Sequence, residues 1–112
     1  MQYKIYQMKN TDSNKSSRFC SLEAAKRNNP NLNLLNYDLV YTSELDLKQP
    51  ESDRIILDEL FHTFNLNRPD DFHGHSLSVS DIIEIDGRLY YVDSFGFKRI
   101  DSRLCRARER NR

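Results

Sequence analysis

The chain has 112 residues, 38% of them hydrophobic and 30% charged, which is enough for one domain that holds a core without a disulfide or a metal. No apolar run approaches the roughly 20 residues of a membrane span, and the N-terminal MQYKIYQMKN lacks the apolar centre of a signal peptide, so a soluble, cytoplasmic protein is expected. Net charge is zero but unevenly placed: from Lys98 to Arg112 there are seven cations and two anions, a net +5, which leaves −5 on residues 1–97.

In chain order, Tyr3-Lys4-Ile5-Tyr6-Gln7-Met8 is short and rich in aromatic and β-branched residues, as a first strand would be. Residues 10–18, NTDSNKSSR, read as a polar loop. Ser21 is placed to cap a short helix through about Arg27, with Leu22 and Ala25 facing inward. Pro30 and its asparagine neighbours end that helix. Tyr37-Asp38-Leu39-Val40-Tyr41-Thr42 alternates like a strand, which would put Tyr37, Leu39 and Tyr41 on one face.

The clearest helix follows Pro50, which suits a first helical turn. Glu51 and Asp53 fall where the positive end of the helix dipole favours them. Ile56, Leu57, Leu60, Phe61 and Phe64 recur at three- and four-residue spacing and form one apolar stripe. Asn65 is suited to close the helix in a left-handed conformation. Further on, Ile82-Ile83-Glu84-Ile85 and Arg88-Leu89-Tyr90-Tyr91-Val92 flank Asp86-Gly87, a strong signal for a type I′ hairpin. Both strands carry apolar groups on both faces, so the sheet is expected to be covered on two sides. The two aromatics of Phe95-Gly96-Phe97 are expected in the core. The fold class is therefore α+β, a small antiparallel sheet with one main amphipathic helix and a shorter helix packed on it.

Between helix and hairpin lies PDDFHGHSLSVSD, residues 69–81. His73 and His75 stand two apart, on one side of an extended segment, with Asp70 and Asp71 just before them. A metal would use both imidazoles and one of those carboxylates. An acid/base role is open to histidine, but no partner is specified by the spacing. Aspartates and serines of this kind bond nearby backbone and stiffen turns. We expect no metal, no cofactor and no catalytic residue, with Asp70, Asp71, His73 and His75 serving as contact residues. Cys20 and Cys105 read as reduced thiols, with no Cys or His near them at ligand spacing.

The order Phe64-Asn65, then Arg68-Pro69-Asp70-Asp71-Phe72-His73-Gly74-His75-Ser76-Leu77-Ser78-Val79-Ser80-Asp81, then Tyr90-Tyr91-Val92-Asp93-Ser94-Phe95-Gly96-Phe97 resembles the YodL-like family of Firmicute bacteria. Tyr3-Lys4-Ile5-Tyr6 and the segment from Arg18-Phe19 to Leu22 resemble its N-terminal part. The likeness makes residues 1–100 one domain and 101–112 a basic tail. It implies a setting more than a reaction, because such domains occur in Gram-positive chromosomes and in conjugative elements, plasmids and phages. One chromosomal relative is associated with perturbing the actin-like cell-shape machinery, and small proteins of mobile elements include anti-CRISPR inhibitors.

Three function classes follow. The first is a non-enzymatic inhibitor or adaptor that binds a host protein or ribonucleoprotein, most sharply a type II RNA-guided nuclease. Its acidic body would suit the cationic channels of such an enzyme. The second is a nucleic-acid binder in which Arg103, Arg106, Arg108 and Arg110 meet phosphates. The third is a small enzyme built on His73 and His75.

Overall fold

A computed structural model describes residues 1–46 and 51–101. Among the described residues, five strands form one antiparallel sheet: β1 (Gln2–Met8), β2 (Tyr37–Glu44), β3 (Ile82–Ile85), β4 (Arg88–Val92) and β5 (Phe97–Ile100). Their spatial order is β2-β1-β3-β4-β5. Two α-helices among the described residues accompany them, α1 (Leu22–Asn28) and α2 (Asp53–Leu66). The α+β class read from the sequence is the class observed. No helix among the described residues is long and apolar enough to cross a membrane.

The central strands are apolar on both sides, and each side has its own core. Ile83 and Ile85 of β3 face a cluster with Ile5, Ile56, Leu57, Leu60 and Phe64, so α2 covers this face. Ile82 points the other way, into a cluster with Met8, Ala25, Leu32, Tyr37, Leu89 and Tyr91, where α1 packs. Alternation along a strand sends adjacent residues to opposite faces, so two buried neighbours such as Ile82 and Ile83 require two covering layers.

Local signals set most of the boundaries. Ser21 caps α1, its side chain accepting from the Ala24 amide at 3.2 Å. Asp86 and Gly87 take φ of 47° and 87°, the left-handed pair that a type I′ turn needs. On α2, Ile56, Leu57, Leu60 and Phe64 are buried, and Phe61 packs half-buried beside them.

Four expectations need correction. Pro50 lies outside the described residues, and α2 begins at Asp53 with Ser52 as its cap; a serine that accepts from the Ile55 amide satisfies an orphan donor, which proline cannot. The helix runs through Asn65 to Leu66, and its cap residue Asn67 has φ −149°, not a left-handed value. Tyr41 does not share a face with Tyr37 and Leu39. The register shifts so that Ile5 opposes Tyr41 while Tyr6 opposes Leu39, and this bulge at Val40 reverses the alternation beyond it. Finally, Phe97–Ile100 forms a fifth strand, β5, beyond the elements expected from the sequence.

Candidate functional site

The segment from the end of α2 to β3 is fastened to β1 by one side chain. Gln7 lies on the same face of β1 as Tyr3 and Ile5 and is buried. Its Oε1 accepts from the His75 amide at 3.2 Å, and its Nε2 donates to the His75 carbonyl at 2.9 Å. The side-chain amide thus imitates a strand partner for an irregular loop. Gly74 is required by this approach, because a Cβ there would stand 2.4 Å from Gln7 Oε1 and 2.9 Å from Phe72 Cζ.

Gln7 Nε2 gives its second hydrogen to Asp81 Oδ2 at 3.0 Å, and the Ser78 amide donates to the same oxygen at 2.8 Å. Asp81 is only 1% exposed. Its other oxygen, Oδ1, is buried without a hydrogen-bond partner and faces His75 Nε2 at 3.8 Å. Burial pushes this carboxyl up to about 7, against the opposing pull of the Ser78 amide, Gln7 and Arg18. His75 Nδ1 lies 2.7 Å from the Ser76 carbonyl, which only accepts, and 3.2 Å from Gln7 Nε2, which only donates; because Gln7 Nε2 has two nearer acceptors, the shorter contact to Ser76 assigns the hydrogen to Nδ1.

Two residues with uncommon backbone support this node. Ser80 has φ 87° and Phe19 has φ 64°, values that cost a non-glycine residue energy. They are bonded to each other, the Phe19 amide donating to Ser80 Oγ at 2.9 Å. The buried Tyr37 hydroxyl fixes the Ser80 carbonyl at 2.6 Å. Phe19 places its ring 5.4 Å from the His75 ring, and the Arg18 guanidinium sits 4.8 Å from the Phe19 ring centre.

The candidate residues from the sequence are thus divided. His75 sits in the node at half burial; Asp70, Asp71 and His73 are exposed. Asp71 accepts from the Tyr41 hydroxyl at 3.0 Å. Arg103, Arg106, Arg108 and Arg110 lie outside the described residues, as does Cys105, while Cys20 is a free thiol. Among the described residues no three His, Cys, Asp or Glu side chains are grouped to hold a metal ion. His75 Nδ1 faces the Ser76 carbonyl and Nε2 faces Asp81 Oδ1.

The turn after β4 departs from the sequence expectation. The Asp93–Gly96 turn between β4 and β5 is rigid: the Asp93 amide donates to the Gly96 carbonyl at 3.0 Å, Asp93 Oδ1 accepts from the Ser94 amide at 2.8 Å, and Gly96 has φ 74°. The same Oδ1 accepts from the Leu22 amide at 3.1 Å, which ties the turn to α1. This turn separates the two phenylalanines that were both expected in the core. Phe97 packs half-buried on Phe61, but Phe95 projects outward, 92% exposed. An open cleft of about 480 Å³ lies beneath it, lined by Leu22, Glu23, Lys26, Asp93 and Lys98. The sequence signal was available in Asp-Ser-Phe-Gly, a turn composition whose interior aromatic has no strand to face.

The protein-family comparison matches the YodL-like domain over residues 2–102. No curated protein and no solved structure matches the chain. The match takes in the Gln7 strand, the histidine loop and the Asp93–Gly96 turn together, and the chain belongs to the YodL-like domain family.

Proposed function

We propose that this domain acts by stoichiometric binding to a host protein, as an inhibitor or adaptor rather than as an enzyme. The observation that carries the reading is Phe95, a large apolar side chain 92% exposed on a turn pinned at both ends. Exposed aromatics on rigid supports serve as binding anchors, since little conformational entropy is lost when they are buried. The partner fitting the remaining surface is a protein with a cationic, nucleic-acid-binding channel, because residues 1–97 carry a net −5. An RNA-guided type II CRISPR nuclease, free or assembling with its guide, is the specific target of this reading, and it makes the protein an anti-CRISPR inhibitor encoded by a mobile element of Firmicutes.

The test is inhibition of guided DNA cleavage by near-equimolar wild-type protein, compared with Phe95→Ala. Inhibition that saturates at one inhibitor per complex and fails in the variant supports the reading. Absence of binding to the nuclease, with or without guide, removes this target, and capture of an actin-like filament protein instead would redirect the reading to the cell-shape machinery. A second reading, nucleic-acid binding, is favoured by one observation: Lys98 and Arg99 are exposed on β5, where the basic run begins. Salt-dependent retardation of RNA by the protein alone would support it.

A further inference from the structure

We propose that Gln7, His75 and Asp81 form a proton-linked latch, in which the 67–81 loop stays fastened to β1 only while a proton lies between His75 Nε2 and Asp81 Oδ1. The geometry carries this. With the hydrogen of the neutral ring held on Nδ1 by the Ser76 carbonyl at 2.7 Å, Nε2 presents a lone pair. It faces Oδ1, the one buried side-chain polar atom among the described residues that lacks a hydrogen-bond partner. Two acceptors 3.8 Å apart repel, whereas a proton on either one turns the contact into an attraction that a contraction of ~1 Å completes.

The other groups around the pair cannot replace that proton. Gln7 Nε2 directs its two hydrogens to the His75 carbonyl and Asp81 Oδ2, at 2.9 and 3.0 Å, both nearer than His75 Nδ1 at 3.2 Å. The Ser78 amide serves Oδ2. The Tyr37 hydroxyl donates to the Ser80 carbonyl and the Tyr91 hydroxyl to the Cys20 carbonyl. Arg18 favours the carboxylate electrostatically while its guanidinium lies over Phe19. The Asp81 carboxyl is raised by burial to about 7. A carboxyl raised on folding stabilises the folded state most at acidic pH, and the contribution declines as pH rises from the ordinary carboxylate range through about 7. Loss of the proton therefore loosens the loop, withdraws the His75 ring from Phe19, and exposes the loop's own Phe72 and Leu77, which are otherwise packed into the core with Phe64.

The test follows hydrogen exchange of the His75 and Ser78 amides at about pH 5.5 and about pH 8.5, corrected for intrinsic exchange. Wild-type protection should fall roughly tenfold or more across that range. In Asp81→Asn and in His75→Gln, a side-chain amide supplies a permanent hydrogen between the two positions, so protection should stay level. Ring-nitrogen chemical shifts in the wild type give a reading independent of either variant, with the neutral ring expected to carry its hydrogen on Nδ1. Constant wild-type protection, an equal decline in the folded variants, or a neutral ring protonated on Nε2 would each overturn the latch.

Discussion

Phe61 on α2 and Phe97 on β5 meet edge to face, with ring centroids 6.2 Å apart and planes at 76°. Two residues before Phe97, Phe95 stands free of the core. The pair therefore separates stability from binding. Phe97→Ala should lower stability by about 2–3 kcal/mol, less than a fully buried phenylalanine because its ring is half-exposed. Phe95→Ala should change stability by less than about 0.5 kcal/mol and weaken partner binding by roughly tenfold or more. Denaturant midpoints and binding curves for both variants check this, and a Phe95→Ala protein that unfolds early would show that the ring belongs to the core.

Gly74 offers a sharper test of the node, because the obstacle there is space. A methyl group at this position would meet Gln7 Oε1 at 2.4 Å, and Gln7 cannot withdraw without giving up bonds to His75 and Asp81. Gly74→Ala should cost about 1–3 kcal/mol. In a Gln7→Ala background the shorter contact is gone and only Phe72 Cζ at 2.9 Å remains, so the same substitution should cost less, and the double-mutant cycle should show coupling. Additive costs would mean that Gly74 is needed for some other reason.

How much of this was legible beforehand follows from the range of each interaction. The α2 stripe, the Ser21 cap and the Asp86-Gly87 turn are written within a few neighbouring residues, so they could be read directly. The Val40 bulge depends on the partner strand, and nothing local marks it. Strand β5, Phe97-Lys98-Arg99-Ile100, was hidden because its two cations merge with the basic run that follows. The node was invisible for a different reason: Gln7 and Asp81 are 74 residues apart. One trace of it existed, a glutamine continuing the face of Tyr3 and Ile5, where a polar residue needs a buried partner.

Asp53 gives a pH dependence of opposite sign to that of Asp81. Arg88 donates to it twice, at 2.7 and 2.9 Å, and the Tyr90 hydroxyl donates as well. The hydrogen bonds from Arg88 hold this carboxyl below its usual range, despite some burial. A depressed carboxyl contributes stability above the ordinary carboxylate value that is lost as pH falls through its folded value. Asp53→Asn should therefore flatten acid unfolding below about pH 4. At neutral pH it should cost roughly 1 kcal/mol, a value discounted for solvent screening because the Arg88 side chain is 35% exposed. An unchanged acid limb would mean that other carboxylates govern acid unfolding.

The arginines of the basic tail lie outside the described residues, but their charge alone has a testable consequence. Reversing Arg103, Arg106, Arg108 and Arg110 to Glu takes the chain from net zero to −8. If only the acidic body meets the partner, added negative charge should leave association with a cationic channel unchanged or make it faster. If the tail touches guide RNA or an acidic patch, association should slow, by roughly tenfold or more at low salt and less at physiological salt. We expect the slower association, with the denaturant midpoint unchanged. The salt series also counts contacts, since each phosphate relinquished should reduce the slope of log affinity against log salt by about 0.7–0.9. Association unchanged from wild type at both ionic strengths would remove the tail from the mechanism and leave Phe95 and its cleft to carry recognition.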